Sequence, residues 1–323
     1  MDVAISSEIV AIGDGLLRFV AQEVEPLERA NKSLLENARH LYDEAGRFSP
    51  PVLELRRVVR RKSAAAGYYN MFGPEELGGM GYGPGAAVYI NELLSAVCGP
   101  ARPLIQTVVL PSPFTNGLSP VLRHLDPAVR APVLAELAAG EKTMCFGLSE
   151  SDAGSDVYAM RSRAVRDGGD WLLTGTKQWI TNGQSAAVYV VWAQTEPSAG
   201  RAGVRGFIIA RDTPGLIPGK KETKLGIRAS ETAQVHFEDV RVHKDMMLGI
   251  AGAAEGSGGL ADTKKMLDST RPVVGAQATG IARAAYEFLL DRVRGGSLNG
   301  TPMASHQHIM FELAEMNMEI TSS

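Results

Sequence analysis

The stretches FGLSESDAGSD at residues 146–156 and GTKQWITNG at residues 175–183 stand where the pattern of the chain changes. Before them, from Ser6 to about Lys142, apolar residues such as Ile9, Ile12, Leu16, Leu17, Val20 and Val24 recur at helical spacing, with Pro26 expected to close the first helix. Around them, from Thr143 to about Val242, short β-rich runs (MCFGL, RSRAV, WLLTG, KQWIT, AAVYVVWA, GFIIA, AQVHF) alternate with turn residues such as Gly168-Gly169-Asp170 and Asn182-Gly183. That alternation predicts a compact antiparallel β domain. After them, from Asp262, the helical period returns. Pro272 is expected to open a helix through Val273, Ile281, Leu289 and Val293, and Met303 to Ile320 to form a second. The expected division is a helical domain over 1–142, a β domain over 143–245 and a helical domain over 246–323, with Gly249 to Gly259 as linker.

Inside the β region the two stretches offer a ledge for a ligand. The small and hydroxyl residues of Ser151-Asp152-Ala153-Gly154-Ser155 let a backbone approach closely and present N–H groups to an anionic or carbonyl-rich partner. Strand alternation sets Trp179 and Thr181 on one side, so an aromatic face and a hydroxyl point at the same object. A flat heteroaromatic cofactor suits that pair; an ordinary half-buried Trp beside a strand Thr is the plainer alternative.

Composition removes several classes. A chain of 323 residues has room for about two domains and a substantial core. Lys plus Arg number 33 against 36 Asp plus Glu, a net charge of -3, which supplies no field for nucleic acid. The two cysteines, Cys98 and Cys145, lie far apart without CxxC spacing, so neither a disulfide framework nor a zinc site is expected. Ala186 to Ala193 is far shorter than the roughly 20 apolar residues of a membrane helix, and it reads as a buried strand. The N-terminus has no basic region ahead of an apolar core, and a cytoplasmic location is expected. The basic run Arg56, Arg57, Arg60, Arg61, Lys62 reads as a solvated helix face. GLSES at 147–151 departs from G-x-S-x-G, the glycines of 78–83 do not spell G-x-G-x-x-G, and His306 and His308 fall on different helix faces, which disfavours a metal site.

The motifs together resemble the acyl-CoA dehydrogenases. The resemblance is carried by FGPEELGGMGYG at 72–83, the run from Phe146, GTKQWITNG from Gly175, and KLGIRASETAQVHFEDVRV at 224–242. LDSTRPVVGAQATGIA from Leu267 and SHQHIMFELAEM from Ser305 extend it over nearly the whole chain. It implies an α+β fold with an N-terminal helical domain, a middle antiparallel β domain and a C-terminal helical bundle, here expected to be incomplete. It also implies FAD as cofactor, an acyl-CoA substrate in fatty acid metabolism, an electron-transfer flavoprotein or similar acceptor, and a homodimer, homotetramer or hetero-oligomer. Carried over by position, Phe146, Leu148, Ser149, Gly154 and Ser155 line the flavin. Trp179, Ile180 and Thr181 match the family's W-I-T, with Trp179 beside the ring and the Thr181 hydroxyl at the flavin N5. Ser155 also meets the thioester, Asp268 and Arg271 hold CoA, and His306 with Gln307 reaches the adenine end of FAD.

Two departures stand out. The family's chemistry uses a Glu of raised pKa to take the proton α to the thioester carbonyl. Thr270 occupies the position where a minority of members carry that Glu, and no catalytic base is identified; Glu255, Asp262, Glu312, Glu315 and Glu319 are expected to be solvated. The family's Arg-x-x-Phe-Gly is also missing, with Gly296 at the Arg position and Asn299 at the Phe position. A non-catalytic subunit that binds FAD or CoA, and a same-fold flavin oxidase or monooxygenase, are the alternatives.

Overall fold

A computed structural model of the chain describes residues 5–249 and 260–323, except 45, 100, 101, 106, 107, 111, 113, 114 and 116. The expected linker therefore lies outside the described residues from 250 onward. Helix α1 (Ser7–Phe19) begins where Ser6 Oγ accepts the Ile9 N–H at 3.3 Å, and a π-helical turn, Val20–Val24, continues it into α2 (Glu25–Ala30). Pro26 does not close the helix as expected. It sits in the first turn of α2, where a missing N–H is tolerated. Short helices α3 (Lys32–Leu35) and α4 (Ala38–Leu41) lead to α5 (Pro50–Ala65), α6 (Pro84–Cys98) and α7 (Pro127–Ala138), the last capped by Asp126 accepting from Ala128 N at 2.8 Å.

The β region follows as β1 (Met144–Gly147), β2 (Arg163–Asp167), β3 (Asp170–Thr181), β4 (Val188–Gln194), β5 (Val204–Ala210), β6 (Leu216–Lys221) and β7 (Thr232–Val242). These make one seven-stranded sheet in the order β1-β4-β2-β3-β7-β6, with β5 paired to β4. The expectation of a purely antiparallel domain is corrected. Strand β1 runs parallel to β4, and Arg163 of β2 makes a parallel bridge to Gln194. A parallel pair is compatible with the continuous apolar run of β4, since both its faces are covered. Val188, Val190 and Trp192 enter one core with Leu122, Leu137 and Met144, while Tyr189, Val191 and Ala193 enter another with Leu173, Phe207 and Phe237.

The chain ends in α8 (Leu260–Gly295), a two-strand hairpin of β8 (Ser297–Leu298) and β9 (Thr301–Pro302), and α9 (Gln307–Ser322). Pro272 does not open α8; the helix already runs through it from Leu260. A proline removes one N–H and crowds the preceding carbonyl, at a cost of about 3 kcal/mol, and the 36-residue helix continues through it.

By compactness the described residues fall into two units, one of Val20–Gly81 with Pro103–Met266, the other of Met1–Phe19, Tyr82–Arg102 and Leu267–Ser323. In the second unit α8 crosses α6 so closely that a Cβ on Gly280 would lie 2.3 Å from the Glu92 carbonyl. Gln277 Nε2 donates to Asn91 Oδ1 at 3.0 Å and Arg283 pairs with Glu92 at 2.8 Å across the same crossing. In the first unit the basic run of α5 is not a solvated face throughout. Arg56 and Arg60 are buried, donating to the Pro103 and Gly140 carbonyls, and burial pushes the Arg56 guanidinium down to about 10. Arg57 and Arg61 pair with Glu141, and Lys62 with Glu23. Long guanidinium stems let these positions reach acceptors on segments distant in sequence, which spacing along one helix does not reveal.

Candidate functional site

Strand β3 carries the decisive irregularity. Its inward phase runs Trp171, Leu173, Lys177 and then Ile180, a three-residue step that skips one position. The skip is a bulge: Lys177 pairs with Val235 and Ile180 with Ala233, so Gln178 and Trp179 together oppose Gln234. Trp179 adopts φ of 63°, left-handed backbone that a bulky residue rarely takes, and the residue is 59% exposed. Thr181, two residues on, is half-buried beside it, with the buried Ile180 between them. A left-handed aromatic residue costs on the order of 1–3 kcal/mol, a strain that clusters at ligand sites.

The loop 147–155 is joined to this bulge. Gln178 N donates to the Ser149 carbonyl at 2.9 Å, and Ser151 Oγ donates to Gln178 Oε1 at 2.8 Å. Phe146 stacks at a tilt on Trp192, 5.3 Å between centroids, and Ala153 turns back on Glu150 through paired backbone hydrogen bonds. Leu148 and Ser149 are half-buried, Gly154 and Ser155 exposed, and a Cβ at Gly154 would meet nothing within 4 Å. Below the loop the buried Lys177 donates to Glu150 Oε1 at 2.8 Å and to the Leu148 carbonyl at 3.2 Å. Burial lowers the Lys177 ammonium, opposed by Glu150; burial raises the Glu150 carboxyl, but Lys177 and hydrogen bonding from Arg161 and Ser162 outweigh it and hold it below its usual range. Glu150, Lys177 and Gln178 went unnoticed in the sequence, although Lys177 in the inward phase of Trp171 and Leu173 was a legible signal.

The remaining expected residues lie on the other unit. Asp268 and Arg271 form an exposed i,i+3 ion pair on α8, and the Thr270 hydroxyl donates to the Leu267 carbonyl at 3.2 Å. His306 and Gln307 stand at the start of α9, with His306 Nε2 buried and without a partner among the described residues. Glu312, Glu315 and Glu319 are exposed, whereas Glu255 and the Asp262 side chain lie outside the described residues. Asn299 and Gly300, both with positive φ, make the hairpin turn between β8 and β9. No group of three His, Cys, Asp or Glu able to hold a metal occurs among the described residues, nor any helix long and apolar enough to cross a membrane. A cavity of about 300 Å³, lined by Arg56, Arg60, Glu141, Ser185 and Glu231 among others, includes none of the expected site residues.

Three acyl-CoA dehydrogenase family models match in order, the N-terminal domain at 6–141, the middle domain at 145–240 and the C-terminal domain at 257–323. The chain belongs to the acyl-CoA dehydrogenase family. It is 35% identical over 259 residues to a probable acyl-CoA dehydrogenase, fadE25, of Mycobacterium leprae, covering 80% of this chain and 64% of that one. It is 36% identical over 263 residues to the mitochondrial short-chain specific acyl-CoA dehydrogenase of Bos taurus, covering 81% of this chain and 61% of that one. The chain thus spans somewhat less than two thirds of the length of these relatives. Among solved structures it resembles a chain from one described as the electron transferring flavoprotein of Acidaminococcus fermentans, with TM-score 0.76, 30% identity and coverage of 100% and 77%. It also resembles a glutaryl-CoA dehydrogenase of Mycobacterium smegmatis in complex with FADH2, with TM-score 0.73, 26% identity and coverage of 98% and 73%.

Proposed function

We propose that the chain is an FAD-dependent acyl-CoA dehydrogenase that introduces an α,β double bond into an acyl-CoA thioester and passes the electrons to an electron-transfer flavoprotein or similar acceptor. The observation that carries the reading is Trp179, an exposed indole held on a strained bulge beside Thr181 in a chain of this family. The residues present fit the cofactor: an exposed indole, a hydroxyl residue two positions on in the strand, and a loop whose Gly154 leaves room for close approach. The unpartnered His306 Nε2 fits a role toward its adenine end. FAD, when bound, accepts a hydride from the substrate β carbon.

On this reading Phe146, Leu148, Ser149, Gly154, Ser155, Trp179, Ile180 and Thr181 hold the flavin, with His306 and Gln307 at its far end. Trp179 covers the ring and excludes water, and the Thr181 hydroxyl orients it by hydrogen bonding. Ser155 meets the thioester, and Asp268 with Arg271 holds CoA; exposed as the pair is, the Arg271 guanidinium can turn to a phosphate and the Asp268 carboxylate can accept from an N–H or O–H donor, without leaving a buried charge behind. The carboxylate that takes the α proton is not assigned to any residue of the chain, and Thr270, a neutral donor to a carbonyl, does not supply it. Exposed Phe288, Phe311 and Met318 support assembly with further copies or subunits. An anaerobic visible spectrum with a panel of acyl-CoA thioesters tests the reading. Bleaching of the flavin band by one thioester class is expected. Bound flavin that no thioester reduces would favour the second reading, a non-catalytic binding subunit, to which Thr270 already points.

A further inference from the structure

One charged pair ties the loop to the bulge, and neither member is assigned to cofactor or thioester. Lys177 has 0% of its side chain exposed and Glu150 9%. Lys177 Nζ donates to Glu150 Oε1 at 2.8 Å and to the Leu148 carbonyl at 3.2 Å, with Met160 Sδ at 3.9 Å. Glu150 also accepts from Arg161 N at 2.7 Å and Ser162 N at 3.0 Å. The carboxylate is therefore pinned from below by β3 and from the side by the segment entering β2. An apolar pair of similar volume is often as stable as a buried ion pair or more so, so stability alone does not account for this one. What a fixed pair supplies in full is direction. It sets where Leu148 and Ser149, the two residues before Glu150, stand relative to Gln178 and Trp179, the two residues after Lys177.

We propose that Lys177 and Glu150 are positioning residues of the cofactor ledge: their buried pair holds the 148–155 loop in register with the Trp179–Thr181 bulge, so that both sides of the flavin cradle are formed before the cofactor arrives. The proposal rests on the reading of this ledge as the FAD site. Preorganised groups spare the ligand the cost of ordering them, so loss of the pair weakens binding without removing any contacting side chain.

The test compares the parent chain with Glu150→Gln/Lys177→Met, in which the single Gln oxygen retains an acceptor for one of the Arg161 and Ser162 N–H groups and Met fills the lysine stem. Three properties are measured: the urea midpoint, the FAD dissociation constant, and iodide quenching of tryptophan emission in the flavin-free protein. Trp171 and Trp192 are 7% and 0% exposed against 59% for Trp179, so iodide reports the bulge itself. The expected result is a midpoint near the parent's, an altered iodide response, and an FAD constant raised roughly 10- to 100-fold, by analogy with the loss when groups that orient metal-binding side chains are removed. Should the double variant not fold, Glu150→Asp, which keeps both charges but withdraws the carboxylate by one methylene, is read in the same way. Parental affinity and parental quenching in a folded variant would overturn the proposal, as would an affinity that falls only in step with the folded fraction. A parent chain that takes up no FAD would instead overturn the cofactor reading itself, and the parent alone reveals that.

Discussion

Two ion pairs, each within a segment expected to carry function, differ in almost every physical respect. Lys177 and Glu150 are buried under the ledge, and backbone donors complete the carboxylate's shell. Asp268 and Arg271 sit a helical turn apart on α8, 70% and 69% exposed, with water as the competing partner. A buried pair is costly to break and fixes what surrounds it, whereas an exposed pair contributes little and stays available to a ligand. Burial, and not the presence of opposite charges, separates a group that shapes a site from one that can meet a substrate.

Single substitutions break the comparison most sharply. Glu150→Gln alone leaves the buried Lys177 with the Leu148 carbonyl and a thioether, and it should destabilise the protein by about 3–5 kcal/mol in urea titration. Lys177→Met should cost less, because Glu150 retains two backbone donors. Equal and small losses would mean the pair is not held as described. Next in size is Gly175→Ala, at roughly 1–3 kcal/mol. Gly175 has φ of 154°, and a Cβ there would lie 2.3 Å from Ser162 Oγ, displacing the residue whose N–H serves Glu150.

Acidification should weaken the buried pair gradually. The Glu150 carboxyl lies below its ordinary 4.5 in the folded protein, so its contribution is complete above that value and lost as pH falls through the lowered folded one. The difference in stability between parent and Glu150→Gln should therefore shrink below pH 4.5 and hold steady at neutral pH. The exposed pair should show the smallest effect on folding. Arg271→Ala should change stability by no more than about 0.5 kcal/mol, while CoA binding by calorimetry weakens by about 1.5–3 kcal/mol. Unchanged CoA affinity would remove Arg271 from the substrate site.

Much of the fold was legible because its signals are local and periodic. The strands of the β region fall on the apolar runs between turn residues, and α1, α5, α6 and α9 on helical spacing. What escaped notice depends on contacts between distant segments. Strand β6, LIPGKK, has weak alternation and a proline, and it is held by pairing with β7. The parallel direction of β1 follows from its neighbour β4, which no property of MCFG reveals. Arg56 and Arg60 are buried by carbonyls 47 and 80 residues away. In the candidate site the motif residues stood out by identity, whereas the bulge that turns Trp179 outward exists only against β7.

The most direct test of the central claim is the tryptophan emission of the parent chain and of Trp179→Phe during titration with FAD. If the flavin lies against Trp179, FAD should quench the parent strongly, and most of that quenching should vanish in the variant while Trp171 and Trp192 go on emitting. Quenching of equal depth in both proteins would contradict the account and place the cofactor elsewhere.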